Sequence, residues 1–187
     1  MKANDKYTAT DGDAGFSLIE TLVAMGILAT GLLGLAGVFV LGMNHLASST
    51  PNLIAREKAR EAVESVHTAR DTRTITWAQI RNVGNGGVFV DEAVPLMRAG
   101  ADGLINTADD AQAGLEEMLG PGPDNILGNT DDTRTPLVGY TRQIIITDIM
   151  ESGLANPSLR QLQVIVTYQV GQTQRTYTLT TFISAIS

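Results

Sequence analysis

The chain has 187 residues, 43% of them hydrophobic, which is enough for one domain with a core. Its formal net charge of −7 and its lack of a basic run argue against a nucleic-acid partner, because clustered Lys and Arg bind phosphate backbones. The absence of cysteine excludes disulfides, thiolate metal sites and a cysteine nucleophile.

The first predicted element is a membrane helix. No Asp, Glu, Lys or Arg occurs from Thr21 to Ile54, and Leu22 to Met43 is almost wholly apolar. A helix needs roughly 20 apolar residues to cross about 30 Å of hydrocarbon. A cleaved secretory signal is the alternative, but this stretch is too long, ends without a small-residue cleavage pattern and follows a polar leader. These features favour cleavage before the apolar stretch.

The junction before this helix reads Gly15-Phe16-Ser17-Leu18-Ile19-Glu20. It resembles the prepilin signature of type IV pilins and type II secretion pseudopilins. The resemblance implies that prepilin peptidase cuts after Gly15 and that the new Phe16 amine is methylated. It further implies that Glu20 is the fifth mature residue and that the partners are other pilin subunits, with the inner membrane holding the precursor.

Glu20 can also be interpreted from physical chemistry alone. A carboxylate within an apolar span is costly unless it is paired. The Phe16 ammonium of a neighbouring subunit would supply the partner, and the pair would set the register of assembly. The alternative is a capping box, in which Ser17 is the N-cap and the Glu20 side chain returns to its amide.

The apolar run Leu22 to Gly37 contains no proline and resembles the PilV group of minor pilins, and minor pseudopilins, more than major pilins. Its glycines permit close packing between membrane helices. The leader, Met1 to Gly15, is acidic where pilin leaders are usually basic, so its charge does not predict an orientation.

The remaining elements predict an α+β fold in which a long N-terminal helix, half membrane and half amphipathic, packs on a C-terminal antiparallel sheet, as in pilins. Pro51 should kink or restart the helix. An amphipathic pattern follows, with a buried stripe at Leu53, Ile54, Ala59, Ala62, Val63, Val66 and Ala69. Strands are predicted at 140–149, 162–170 and 176–186. The predicted segments are a leader (1–15), an assembly helix (16–47), its amphipathic continuation (48–72), a variable loop region (73–139) and the sheet (140–187).

The loop region contains an internal repeat, because Gly100 to Asp110 aligns without a gap with Gly122 to Asp132. Both copies place Asp at the third, tenth and eleventh positions, at Asp102, Asp109 and Asp110 and at Asp124, Asp131 and Asp132. Carboxylates in a glycine-rich frame suit calcium, and Asn106 and Asn129 are further candidate ligands. The loops partly resemble the calcium loop of type II secretion major pseudopilins. The alternative is a pair of polar Asx turns.

Together these features predict a structural subunit, a minor pilin of a type IV pilus-like filament. As a precursor it would be a single-pass inner-membrane protein, and in the filament its C-terminal part would lie outside the cytoplasm. The alternatives are a minor pseudopilin of a type II secretion system and a membrane-anchored adhesin that does not polymerise. An enzyme is disfavoured because nucleophile, zinc-protease and phosphate-loop motifs are absent from the sequence.

Overall fold

A computed structural model describes residues 17–185, and the side chains of all of these except 44, 45, 47 and 48. Its principal helix, α1, covers Leu18–Asp71, so Pro51 lies inside one helix and does not start a second. The chain divides into two compact units, an N-terminal unit of residues 1–46 and a globular unit of residues 47–187.

The described part of the N-terminal unit is the apolar half of α1. Leu18–Met43 is long and apolar enough to cross a membrane, and none of it is buried within the described chain. At 1.5 Å per residue these 26 residues extend roughly 39 Å, which exceeds a hydrocarbon core of about 30 Å. Its large apolar side chains are all more than half exposed, from 54% at Val23 to 82% at Leu18.

The globular unit is built by packing the second half of α1 on a sheet. The helix contributes a stripe of small residues at steps of four and three, each at most 3% exposed: Ala55, Ala59, Ala62, Val66 and Ala69. Small side chains let the sheet approach the helix closely. The predicted stripe is wrong at Leu53, which is 58% exposed, because the buried face is centred on Ala55.

The main sheet has four antiparallel strands, which are β1 Val94–Pro95, β4 Thr141–Glu151, β5 Leu154–Val170 and β6 Thr173–Ser184. They lie side by side in the order β1-β4-β5-β6. Burial alternates along β4 and β5, so one face, which includes Ile144, Val164 and Val166, packs in the core with α1. The predicted α+β fold, with a long N-terminal helix and a C-terminal antiparallel sheet, is confirmed, although β5 begins eight residues earlier than predicted.

A second sheet, of two strands, lies within the loop region. Strands β2 Glu117–Gly120 and β3 Thr133–Pro136 form a hairpin that is closed by residues 121–132. Short 3-10 helices at Trp77–Gln79, Val83–Asn85 and Ala108–Gln112 order the rest of the region.

Residues 73–99, the first part of the predicted variable loop region, contribute side chains to the core. Ile80, Phe89 and Leu96 are fully buried, and the buried Asn82 amide donates to the Ile144 carbonyl at 2.7 Å. The Arg160 guanidinium lies over the ring of Trp77, and its Cζ atom is 4.1 Å from the ring centroid. The segment therefore completes the core of the globular unit.

A buried ionic cluster joins α1, the start of the β2–β3 hairpin and the four-stranded sheet. Glu116 is 5% exposed and lies 2.7 Å from the Lys58 ammonium and 2.9 Å from the guanidinium of Arg142, which is 1% exposed. Burial lowers the pKa of Lys58, but hydrogen bonds to Glu116 and Glu61 outweigh it, so this pKa is raised overall. The cluster fixes the base of the hairpin to the helix.

Candidate functional site

The first candidate site is the N-terminus of α1. Gly15 and Phe16, the predicted processing residues, lie outside the described residues. The Ser17 hydroxyl accepts a hydrogen bond from the Ile19 amide at 3.3 Å, and its carbonyl accepts one from the Glu20 amide. The Glu20 carboxylate is exposed and makes no hydrogen bond or ion pair within residues 17–185. The reciprocal bond of a capping box is thus not formed in the described chain.

The glycines of the span have no packing role within the described chain. A Cβ atom added at Gly26, Gly31, Gly34, Gly37 or Gly42 would meet nothing within 4 Å. Each glycine is unfavourable in a helix by roughly 1 kcal/mol relative to alanine. Within residues 17–185 this cost is not offset by any close contact.

The second candidate site is loop A, residues 100–110. Carboxylate oxygens of Asp102, Asp109 and Asp110 all lie within 4.8 Å of one another. The loop is held by its own backbone, because Asp110 accepts the amides of Gly100 at 2.8 Å and Asn106 at 2.6 Å. Loop folding therefore brings together the three carboxylates that the sequence singled out.

Loop B, residues 122–132, has the same backbone frame. Asp132 accepts the amides of Gly128 at 2.7 Å and Asn129 at 3.2 Å, as Asp110 does those of Asn106 and Thr107 in loop A. Left-handed backbone also recurs at the same two positions, at Gly103 and Asn106 in loop A and at Asn125 and Gly128 in loop B. The sequence repeat is thus a structural repeat.

The carboxylates of the two loops are arranged differently. Among the described residues, the convergence found in loop A is not found for Asp124, Asp131 and Asp132. In loop B the Asn129 amide donates to Asp124 at 2.6 Å, and one buried oxygen of Asp132 lacks a hydrogen-bond partner. Loop A is therefore the better-formed cluster.

The pKa values of two loop A acids, Asp109 and Asp110, are shifted in opposite directions. The Thr107 hydroxyl, which donates to Asp109 at 2.7 Å, and the Asp102 amide lower the pKa of Asp109. Burial raises the pKa of Asp110, and this effect outweighs the hydrogen bonds from backbone amides, which lower the same pKa. Sequence reasoning missed Thr107, although Thr107-Ala-Asp-Asp110 is a recognisable capping signature for the following 3-10 helix.

Asn106 occupies the centre of loop A. It is fully buried, and neither polar atom of its side chain has a hydrogen-bond partner in the described chain. An unsatisfied buried amide costs about 1–3 kcal/mol. Loop A thus combines converging carboxylates with an unpaired buried amide.

A family model described as the prokaryotic N-terminal methylation motif matches residues 11–36. The match supports a type IV pilin-like prepilin. It covers the Gly15–Phe16 junction, Glu20 and most of the apolar half of α1. Searches of curated proteins and of solved structures find no match.

The methylation motif indicates a pilin-like structural protein, which is not an enzyme. It implies processing by prepilin peptidase and assembly with other pilin subunits. With the apolar helix, it is consistent with a membrane-anchored precursor that enters a pilus.

Proposed function

We propose that this chain is a minor pilin of a type IV pilus-like filament. Prepilin peptidase would cleave it after Gly15, and the methylated Phe16 amine of one subunit would face Glu20 of its neighbour. The observation that carries the proposal is the methylation motif at the start of an exposed apolar helix, followed by a globular unit.

The pairing is supported by the state of Glu20 in the described chain. Its carboxylate has no partner within residues 17–185, although it lies at the start of a helix whose residues from Leu22 to Met43 are almost wholly apolar. In lipid or in a filament core such a group requires an opposite charge. A cleaved neighbour provides one at a fixed position.

The test replaces Glu20 by alanine and measures filament yield with the assembly machinery present. We expect cleavage to continue and polymerisation to be lost. The matched control is Glu57→Ala, because Glu57 is an exposed acid of the same helix whose ion-pair distance to Arg60 is 3.9 Å. Undiminished polymerisation of the Glu20 variant would refute the pairing.

Two alternatives predict different phenotypes. A minor pseudopilin of a type II secretion system would, on deletion, reduce export of secreted proteins and leave surface filaments intact. A non-polymerising anchored adhesin would keep residues 1–15 and tolerate the Glu20 substitution. Our proposal predicts loss or shortening of surface filaments on deletion.

We also propose that loop A binds calcium and that loop B is a weaker second site. Calcium takes about six to eight oxygen ligands at 2.3–2.6 Å, so two ligands of one ion lie at most about 5 Å apart. The carboxylates of Asp102, Asp109 and Asp110 meet this limit, and the unpaired Asn106 amide carries a further suitable oxygen. A bound cation would also compensate for the free-energy cost of burying the negative charge of Asp110.

A calcium titration of the purified full-length chain tests this second proposal. A free calcium concentration of 100 times Kd should stabilise the folded state by about 2.7 kcal/mol, and chelator should reverse the gain. Asp109→Asn should lose most of the gain, whereas Asp71→Asn, at an acid paired with Arg70, should keep it. No thermal shift in calcium would end the proposal.

A further inference from the structure

The two loops place the same pair of apolar residues in opposite environments. In loop A, Leu104 and Ile105 are 4% and 5% exposed and belong to the core of the globular unit. The aligned residues of loop B, Ile126 and Leu127, are 61% and 58% exposed. Loop A therefore shows that this loop frame can insert two adjacent aliphatic side chains into an apolar surface.

Loop B presents its pair at a defined position. It closes the β2–β3 hairpin, so Ile126 and Leu127 lie at the hairpin tip. Hydrogen bonds from the Ile126 amide to Asp124 and from the Gly128 amide to Asp132 hold the loop on both sides of the pair. Ile126 and Leu127 are thus adjacent exposed aliphatic residues, and contiguous exposed apolar surface marks interaction sites.

We propose that Ile126 and Leu127 of loop B dock into a groove on the globular unit of a second copy of this chain. The inference deepens the proposed filament function, on which it rests, and adds a contact between globular units. It does not depend on calcium binding.

The acceptor is a groove of about 410 Å³ at the base of the same hairpin. Pro95, Leu115, Val138 and Tyr140 supply its apolar lining, and its other lining residues are Thr, Gln and Gly. Val138 is 73% exposed, so the groove has an apolar rim open to a partner.

Charge also favours this match. Loop B carries three aspartates and no basic residue, while the groove is lined by uncharged residues. One exposed arginine lies beside the groove and has no ion-pair partner within residues 17–185. The Arg98 Nε donates to the Ala113 carbonyl at 3.0 Å, and the Arg98 amide donates to the carbonyl of Gly114, next to Leu115. An acidic loop thus meets a surface without repelling acids, despite a net charge of −7 on the chain.

The geometry is suited to a filament. The docking pair lies at the tip of the hairpin and the groove at its base, so the two surfaces of the contact are different. Such a heterologous contact repeats from copy to copy and builds open assemblies when the rotation does not close.

Cysteine cross-linking tests the contact, because the chain contains no cysteine of its own. Purified full-length Ile126→Cys and Val138→Cys chains, mixed in lipid vesicles, are treated with a short bismaleimide. We expect a 126–138 adduct at least about tenfold above that from Ile126→Cys mixed with Leu154→Cys, since Leu154 is equally accessible at 76% exposure. Leu127→Ser in the Ile126→Cys chain should reduce the adduct.

An adduct no more abundant than the control, or none, would overturn the docking. This result is distinguishable from a failure of the proposed filament function. Both cross-linked residues lie in the globular unit, whereas the filament function is measured separately by cleavage and by the Glu20 variant. Normal processing without the 126–138 adduct would remove the docking alone.

Discussion

Replacing Glu116 by glutamine tests whether the buried ionic cluster holds the globular unit together. The change keeps the side-chain shape but leaves Arg142, which is 1% exposed, and Lys58 without their shared carboxylate. Breaking a buried pair by removing one partner costs about 3–5 kcal/mol. Because Lys58 retains Glu61 at 2.7 Å, we expect the lower value, about 3 kcal/mol.

For a unit of this size, about 3 kcal/mol corresponds to a fall in Tm of roughly 10 °C. The assay is thermal unfolding of the full-length chain in detergent, followed by the fluorescence of Trp77, the only tryptophan. Trp77 lies in the globular unit and packs against Arg160, so its emission reports the unfolding of that unit.

The matched control is Glu117→Gln at the adjacent position. Glu117 pairs with Arg134 at 3.6 Å, and Arg134 is 69% exposed, so the pair should contribute less than about 1 kcal/mol. Equal shifts in Tm for the two variants would refute the view that burial gives the Glu116 cluster its strength.

Three further outcomes are expected. The stability that Lys58 contributes should be present below its unfolded pKa of about 10.5 and lost as pH rises through the higher folded value, and Lys58→Met should remove this alkaline dependence of the unfolding free energy. In the presence of chelator, the free energy of unfolding of wild type should rise relative to that of Asp110→Asn as pH falls. The pKa of Asp110 is raised in the folded state, so its contribution to stability is full below the unfolded pKa of about 3.8 and is lost as pH rises through the folded pKa. A constant difference in unfolding free energy between the two chains from neutral to acid pH would contradict this. Arg160→Lys should destabilise by about 1–2 kcal/mol in urea titrations, since lysine cannot keep the Trp77 stacking and the fork of hydrogen bonds, whereas Arg134→Lys at the surface should change little.

The elements with a strong local signal were predictable from the sequence. The apolar helix follows from the absence of charge from Thr21 to Ile54, and β4 to β6 follow from runs of β-branched residues. The frame of the Asp-rich loops could also be anticipated. Gly103 and Asn125 are residue types that tolerate left-handed backbone, and they recur at equivalent positions of the repeat.

The features that depend on tertiary position could not be predicted. Ile80, Phe89 and Leu96 follow neither a helix nor a strand period, so their burial leaves no local pattern. Glu116 and Arg142 are distant in sequence, and buried charges resemble surface charges until the fold brings them together. The two loops are the clearest case, because nearly the same local sequence is buried at 104–105 and exposed at 126–127.

The mature N-terminus tests the central claim most directly. Intact mass and N-terminal peptide analysis are applied to the full-length chain after expression with prepilin peptidase. We expect a chain that begins at methylated Phe16 and lacks residues 1–15. A chain that still begins at Met1, or that is cut after the apolar helix, would contradict the account.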